Sequence, residues 1–245
     1  MQSGCHAGNT QNRMLRGPCV ALLSQSHARR QHSDKTQVRA INRLCAIVRH
    51  MTLFRDSLDE LSSLLASCRS LEDAVMNAGR AILACLHREG KVLTCGNGGS
   101  AADALHLAEE LVGRYKAERR PLAAVCINAD VTMLTCIGND YGYDHVFSRQ
   151  VEALGRPGDV LVGFSTSGNS PNVLAAFRKA QEIGLTTIFI GGKDGGLAKG
   201  FCDYEIIVPS STTARIQEVH TVILHHWLEA IDSVDWTNLS PKLSA

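Results

Sequence analysis

A histidine and a glutamate four residues apart, His106 and Glu110, put an imidazole and a carboxylate on one helix face, about 6 Å apart along its axis. Such a pair can share one ligand or one metal ion. It can equally be a solvated surface contact, but Leu105, Leu107, Ala108 and Leu111 surround it with apolar side chains, so one face of that helix must be buried. A second concentration of ligand-capable groups lies near the C-terminus, in Arg215-Ile-Gln217-Glu-Val-His220-Thr-Val-Ile-Leu-His225-His226. Some of these histidines must be structural, since a histidine in an apolar stripe is ordinarily a hydrogen-bonded core residue. Gln217 and His225 stand about 12 Å apart along an ideal helix and differ by roughly 80° in direction, near the limit for meeting at one ion.

Two loops could hold an anion. Gly96-Asn-Gly-Gly-Ser-Ala-Ala-Asp103 and Ser165-Thr-Ser-Gly-Asn-Ser170 each follow an apolar run and lead into a helical one. Small residues, hydroxyls and helix-start amides converging at a positive dipole end bind phosphate without a cationic side chain. Ser170 before Pro171 also reads as an ordinary helix cap, but capping needs only one hydroxyl and this loop carries four. The first loop fits a dinucleotide fingerprint through Gly96, Gly98 and Ala101. The acidic residue that should end the next strand is missing, however, because Ile127 is followed by Asn128 and Ala129. A P-loop fails as well, since Lys193 is followed by Asp194 where Ser or Thr is needed. No nucleotide cofactor is expected.

These groups need a frame. Short apolar runs recur at Lys91–Cys95, Leu122–Ile127, Asp159–Phe164, Thr186–Ile190 and Tyr204–Val208, with helical stretches between, and two helices should fill 53–88 ahead of them. Continuously apolar strands joined by helices predict an α/β fold, a three-layer αβα sandwich around a five-stranded parallel sheet. Ligands of such sheets lie beyond the carboxyl ends of the strands, where both loops fall.

Composition removes several classes. Of 245 residues 44% are apolar and 20% charged, and the formal net charge of +1 leaves no global field for nucleic acid or an anionic membrane. No apolar run approaches the ~20 residues that cross a bilayer. Nine cysteines without a CxxC pair read as reduced, mostly buried small hydrophobes, which points to the cytoplasm. Residues 1–50 carry eight Lys/Arg against the single acid Asp34 and read as a dispensable disordered extension, with the catalytic domain over 51–245.

Cys95-Gly-Asn-Gly-Gly-Ser-Ala-Ala-Asp-Ala-Leu-His106-Leu-Ala-Glu-Glu110-Leu-Val-Gly-Arg114-Tyr resembles the signature of phosphoheptose isomerases. The likeness continues in order through Gly138-Asn-Asp140, Ser165–Ser170, Gly191–Gly196 and Arg215–His225, covering residues 53 to 232. It implies a sugar isomerase (SIS) fold and a homotetramer with active sites at subunit interfaces. It further implies conversion of sedoheptulose 7-phosphate to D-glycero-D-manno-heptose 7-phosphate for lipopolysaccharide precursors. By the same resemblance Ser165, Thr166, Ser167 and Ser170 hold the phosphate, and Asn97, Gly98, Gly99, Asn139 and Asp140 contact the sugar. His106, Glu110, Gln217 and His225 are the implied zinc ligands, with Glu110 and His225 the proton-transfer pair. The same fold also serves non-catalytic relatives, one bridging the bacterial replication initiator and others sensing sugar phosphates. In the first of these the glutamate and final histidine are replaced, whereas this chain has both Glu110 and His225.

Overall fold

Alternation along each strand decides how this sheet is covered. Val92, Val160, Val162, Phe164, Ile188, Ile190, Ile206 and Val208 point to one core, while Leu93, Cys95, Leu161 and Phe189 point to another. A sheet apolar on both faces must be covered on both. In the computed structural model the described residues are 53–236, so the expected extension over 1–50 lies outside them. The chain divides into two units, Met1–Asp56 and Ser57–Ala245, and the second carries the sheet and the helices that cover it.

Helix α1 (Leu53–Ser67) is joined by a short 3-10 turn to α2 (Glu72–His87). Then follow β1 (Val92–Gly96), α3 (Gly99–Val112), β2 (Ala124–Cys126), α4 (Val131–Tyr141), α5 (Ser148–Leu154), β3 (Val160–Ser165), α6 (Pro171–Glu182), β4 (Thr186–Gly192), β5 (Tyr204–Val208) and α7 (Thr213–Asp232). The five expected strands are all present; the second shortens to three residues, and β1, β3 and β4 extend one or two residues toward their carboxyl ends. No helix among the described residues is long and apolar enough to cross a membrane.

All strands are parallel, in the order β2-β1-β3-β4-β5. The chain leaves β1 for one edge and returns to β3 on its other side, which makes the β1/β3 boundary the topological switch point. Helix α3 packs in the core shared with α2 and α7, and α6 in the opposite core with α4 and α5. The loops after β1 and β3 therefore diverge to opposite faces, opening a crevice between them.

Candidate active site

Both loops end at that crevice, with Gly96 in register with Phe164. After β1 the chain turns through Gly98 at φ 58°, ψ −123°, a conformation open to glycine, and enters α3 one residue later. Across the crevice Ser170 takes the cap position of α6 with Pro171 in the first turn, as expected, but its side chain makes no capping bond. Its hydroxyl instead lies 3.1 Å from that of Ser165, a residue buried at the end of β3. A hydroxyl not committed to capping is available to a ligand, and the helix-start amides lie beside it.

The loop between them is rigidly backed. Ser167 Oγ accepts from Asn169 N (3.2 Å), and Asn169 Oδ1 and the Gly168 carbonyl accept from Leu197 N and Ala198 N at 2.9 and 3.0 Å. Gly168, at φ +64°, is pressed so closely on the Gly195 carbonyl that a Cβ would collide with that oxygen. The Gly195–Ala198 segment thus acts as a brace for the hydroxyl loop. Thr166 and Ser167 are half-buried beside it.

Helices α3 and α7 follow β1 and β5 in the same direction and pack in parallel. Gln217 meets Gly99, Thr221 Oγ1 donates to Asp103 Oδ1 at 3.3 Å, and His225 meets His106. His106 Nε2 is 3.6 Å from Glu110 Oε1, and the His106 and His225 rings stand edge to face with centroids 5.0 Å apart. His106 therefore lies between the carboxylate and the second imidazole, all three partly exposed. Gln217 is not with them: its amide rests against Gly99, seven residues or about 10 Å back along α3 from His106. Asn139 and Asp140 sit exposed on the last turn of α4, where Asn139 Nδ2 donates to Asp140 Oδ1 at 2.7 Å, and it is Tyr143 beyond them that bonds the β1 loop.

Imidazole and carboxylate donors suit zinc, and the structure supplies them as a set. His106, Glu109 and Glu110 offer ligand atoms all within 4.8 Å of one another, with His225 alongside. Spacing does not single out Glu109, exposed and one residue before Glu110, since adjacent helix positions point in different directions. Two other expectations need correcting. Leu105 does not help bury the pair but is 46% exposed, because it faces away from the sheet. Of the six described cysteines, all free, Cys85 and Cys95 are buried, three are half-buried and Cys136 is exposed. His220 is the structural histidine: it is fully buried and its Nε2 lies 3.0 Å from the Gly191 carbonyl.

The segment after α3 straps it to the end of α7. Tyr115 stacks on His225 with centroids 5.3 Å apart, and Lys116 pairs with Glu229. Arg119 Nε donates to Asp232 Oδ1 (2.9 Å) while its terminal nitrogens donate to the carbonyls of Glu110 and Leu111 at 2.7 and 2.9 Å. Burial raises the pKa of the Asp232 carboxyl, but the N–H groups of Ala117 and Lys116 and the guanidinium of Arg119 outweigh that and hold it below the usual range. No local pattern in the chain signals this strap, because its partners are more than a hundred residues apart.

An open parallel sheet with hydroxyl and glycine loops at its switch point, and a carboxylate and imidazoles beside them, is the frame of a sugar isomerase domain. A family model for the SIS domain matches residues 57–192. The phosphoheptose isomerase of Campylobacter jejuni serotype O:6 is 53% identical over 162 residues, 66% of this chain and 87% of its own length. That of Helicobacter pylori strain P12 is 47% identical over 73% of this chain and 93% of its own. The solved phosphoheptose isomerase of Neisseria gonorrhoeae superposes with a TM-score of 0.71 at 45% identity, covering 75% of this chain and 99% of that one. The chain belongs to the phosphoheptose isomerase family of SIS-domain proteins, and it is an enzyme, a phosphosugar isomerase.

Proposed function

We propose that this enzyme interconverts sedoheptulose 7-phosphate and D-glycero-D-manno-heptose 7-phosphate through an enediol, supplying heptose for lipopolysaccharide precursors in the cytoplasm. The observation that carries this reading is the placement of His106 between Glu110 and His225, 3.6 Å from the carboxylate and 5.0 Å between ring centroids from the imidazole. Ser165, Thr166, Ser167 and Ser170 would take the phosphate at the start of α6, and the loop of Asn97, Gly98 and Gly99 would face the sugar, with Asn139 and Asp140 at the rim.

The chemistry follows from what a ketose must do. Glu110 takes a proton from C1, giving the enediol, and returns it to C2; His225 gives a proton to the C2 oxygen and receives one from the C1 hydroxyl. One base and one acid so placed neutralise the developing oxyanion without free solvent protons. His106, Glu110 and His225, with Gln217 after its side chain swings from Gly99, would hold one zinc ion per subunit. Bound there, zinc would supply Lewis acidity to the two oxygens. In the homotetramer that belongs to this reading, a neighbouring subunit would cover Leu105, which is 46% exposed next to His106 on α3.

The test is incubation with sedoheptulose 7-phosphate beside Glu110→Gln and His225→Gln. Aldose product from the wild type, with both variants at least a hundredfold slower, is expected. Tight binding without turnover would favour a scaffold or sensor role instead.

A further inference from the structure

Two carboxamides face each other across the crevice: Asn97, the first residue after β1, and Asn172, in the first turn of α6. Asn97 Nδ2 donates to Asn172 Oδ1 and Asn172 Nδ2 donates to Asn97 Oδ1, both at 2.9 Å. A third contact fixes which atom is which. The backbone N–H of Val173 lies 2.9 Å from Asn172 Oδ1, and since a backbone N–H can only donate, that atom must be oxygen and the other assignments follow. The hydroxyl of Tyr143, from the connection after α4, then donates to Asn97 Oδ1 at 2.9 Å.

Asn97 is left with one free group. Its oxygen accepts two bonds and is saturated, one N–H is spent on Asn172, and one N–H remains. Asn172 is 1% exposed, so its amide is held in one orientation, and Asn97, half-buried at the crevice, is held through it. A buried amide costs stability unless it is bonded, and an apolar residue would fill the same space at the start of α6.

We propose that Asn172 and Tyr143 are positioning residues that lock Asn97 into offering the substrate one N–H and no acceptor, so that the sugar loop after β1 is held in register with the hydroxyl loop before α6. The inference rests on the isomerase reading above. The group recognised is an oxygen acceptor on the sugar, and the lock ties its placement to the phosphate end of the same molecule.

The experiment is a mutant cycle on the full chain: Asn97→Ala, Asn172→Ala, the double variant, and Tyr143→Phe in both the wild-type and Asn97→Ala backgrounds. Each is assayed for kcat and KM with sedoheptulose 7-phosphate and for inorganic phosphate affinity by calorimetry. Asn97→Ala and Asn172→Ala should each lose about ten- to a hundredfold in kcat/KM. The double variant should be no slower than Asn97→Ala, because Asn172 reaches the sugar only through Asn97. Tyr143→Phe should lose about threefold, and nothing further once Asn97 is alanine. Phosphate affinity should stay within about twofold throughout. Losses that multiply in the double variant, or phosphate affinity falling in step with turnover, would overturn the proposal. Tyr143 is exposed, so its arm reads out even where Asn172→Ala does not fold. A wild type that neither binds nor converts sedoheptulose 7-phosphate fails the isomerase reading and this one together; a competent wild type with additive variants fails this one alone.

Discussion

Replacing Arg119 by methionine keeps most of the side-chain volume and removes the charge that ties α3 to the end of α7. In the native chain the guanidinium is 3% and the Asp232 carboxylate 6% exposed. Removing one partner of a buried pair costs about 3–5 kcal/mol, because the other charge is stranded. Asp232 keeps two backbone donors, Lys116 N at 2.7 Å and Ala117 N at 2.8 Å, so the lower end, about 3 kcal/mol, applies. For a domain of this size that is a fall in Tm of roughly 6–12 °C. The variant also strips a donor from the Glu110 carbonyl, and a shift of that turn should lower kcat by about tenfold or more. Differential scanning calorimetry and steady-state kinetics read the two effects. A Tm within about 2 °C of wild type would mean that the pair is solvated and energetically idle, the opposite of what its burial requires. The pH dependence carries a second sign. The folded carboxyl of Asp232 is held below its unfolded value of about 4, so its contribution is complete above about pH 4 and lost as pH falls through the folded value. Asp232→Asn should therefore be less stable than wild type at about pH 6, and the difference should shrink on acidification toward about pH 2.

Three more outcomes follow from single contacts. Gly168→Ala combines a left-handed φ with a clash on the Gly195 carbonyl, so inorganic phosphate affinity, measured by calorimetry, should drop about tenfold or more. Gly99→Ala meets the flexible amide of Gln217 rather than backbone; stability should stay within about 1 kcal/mol in urea melts while kcat falls through the displaced glutamine. Burial pushes the Cys85 thiol up to about 11 and that of Cys202 up to about 12, so mapping of thiol labels at about pH 8 should find Cys136 modified quickly and those two only after unfolding.

The frame was readable because each strand is a short, mainly apolar run bounded by turn residues, interrupted only by single polar positions such as Thr94 and Glu205, a pattern no solvent-facing helix produces. The two loops were readable for a related reason: hydroxyls and glycines crowded at a strand end exceed what a cap needs. Pairing across sequence was not. Nothing local in Asn172 or Tyr143 announces that both meet Asn97, and a hydroxyl of Ser170 that ignores its own helix to face Ser165 is visible only once β3 and α6 are in place. Helical spacing placed His106 beside Glu110, yet it could not say that α7 runs parallel to α3, which decides that His225 joins them and that Gln217 lies two turns away. The strap from Tyr115 to Arg119 was invisible for the same reason, since what it ties α3 to is the far end of the chain.

The proposed reaction requires above all that Glu110 move a carbon-bound proton of the sugar while His225 serves the oxygens. Exchange of that hydrogen with solvent tests the division of labour without relying on product formation: sedoheptulose 7-phosphate is held with enzyme in D2O and deuterium at C1 is followed by NMR. Steady incorporation is predicted with the wild type, because the proton taken up by the partly exposed Glu110 carboxylate exchanges with solvent before it is returned, with a loss of about a hundredfold or more in Glu110→Gln and a smaller loss in His225→Gln. Exchange in Glu110→Gln at the wild-type rate would contradict it.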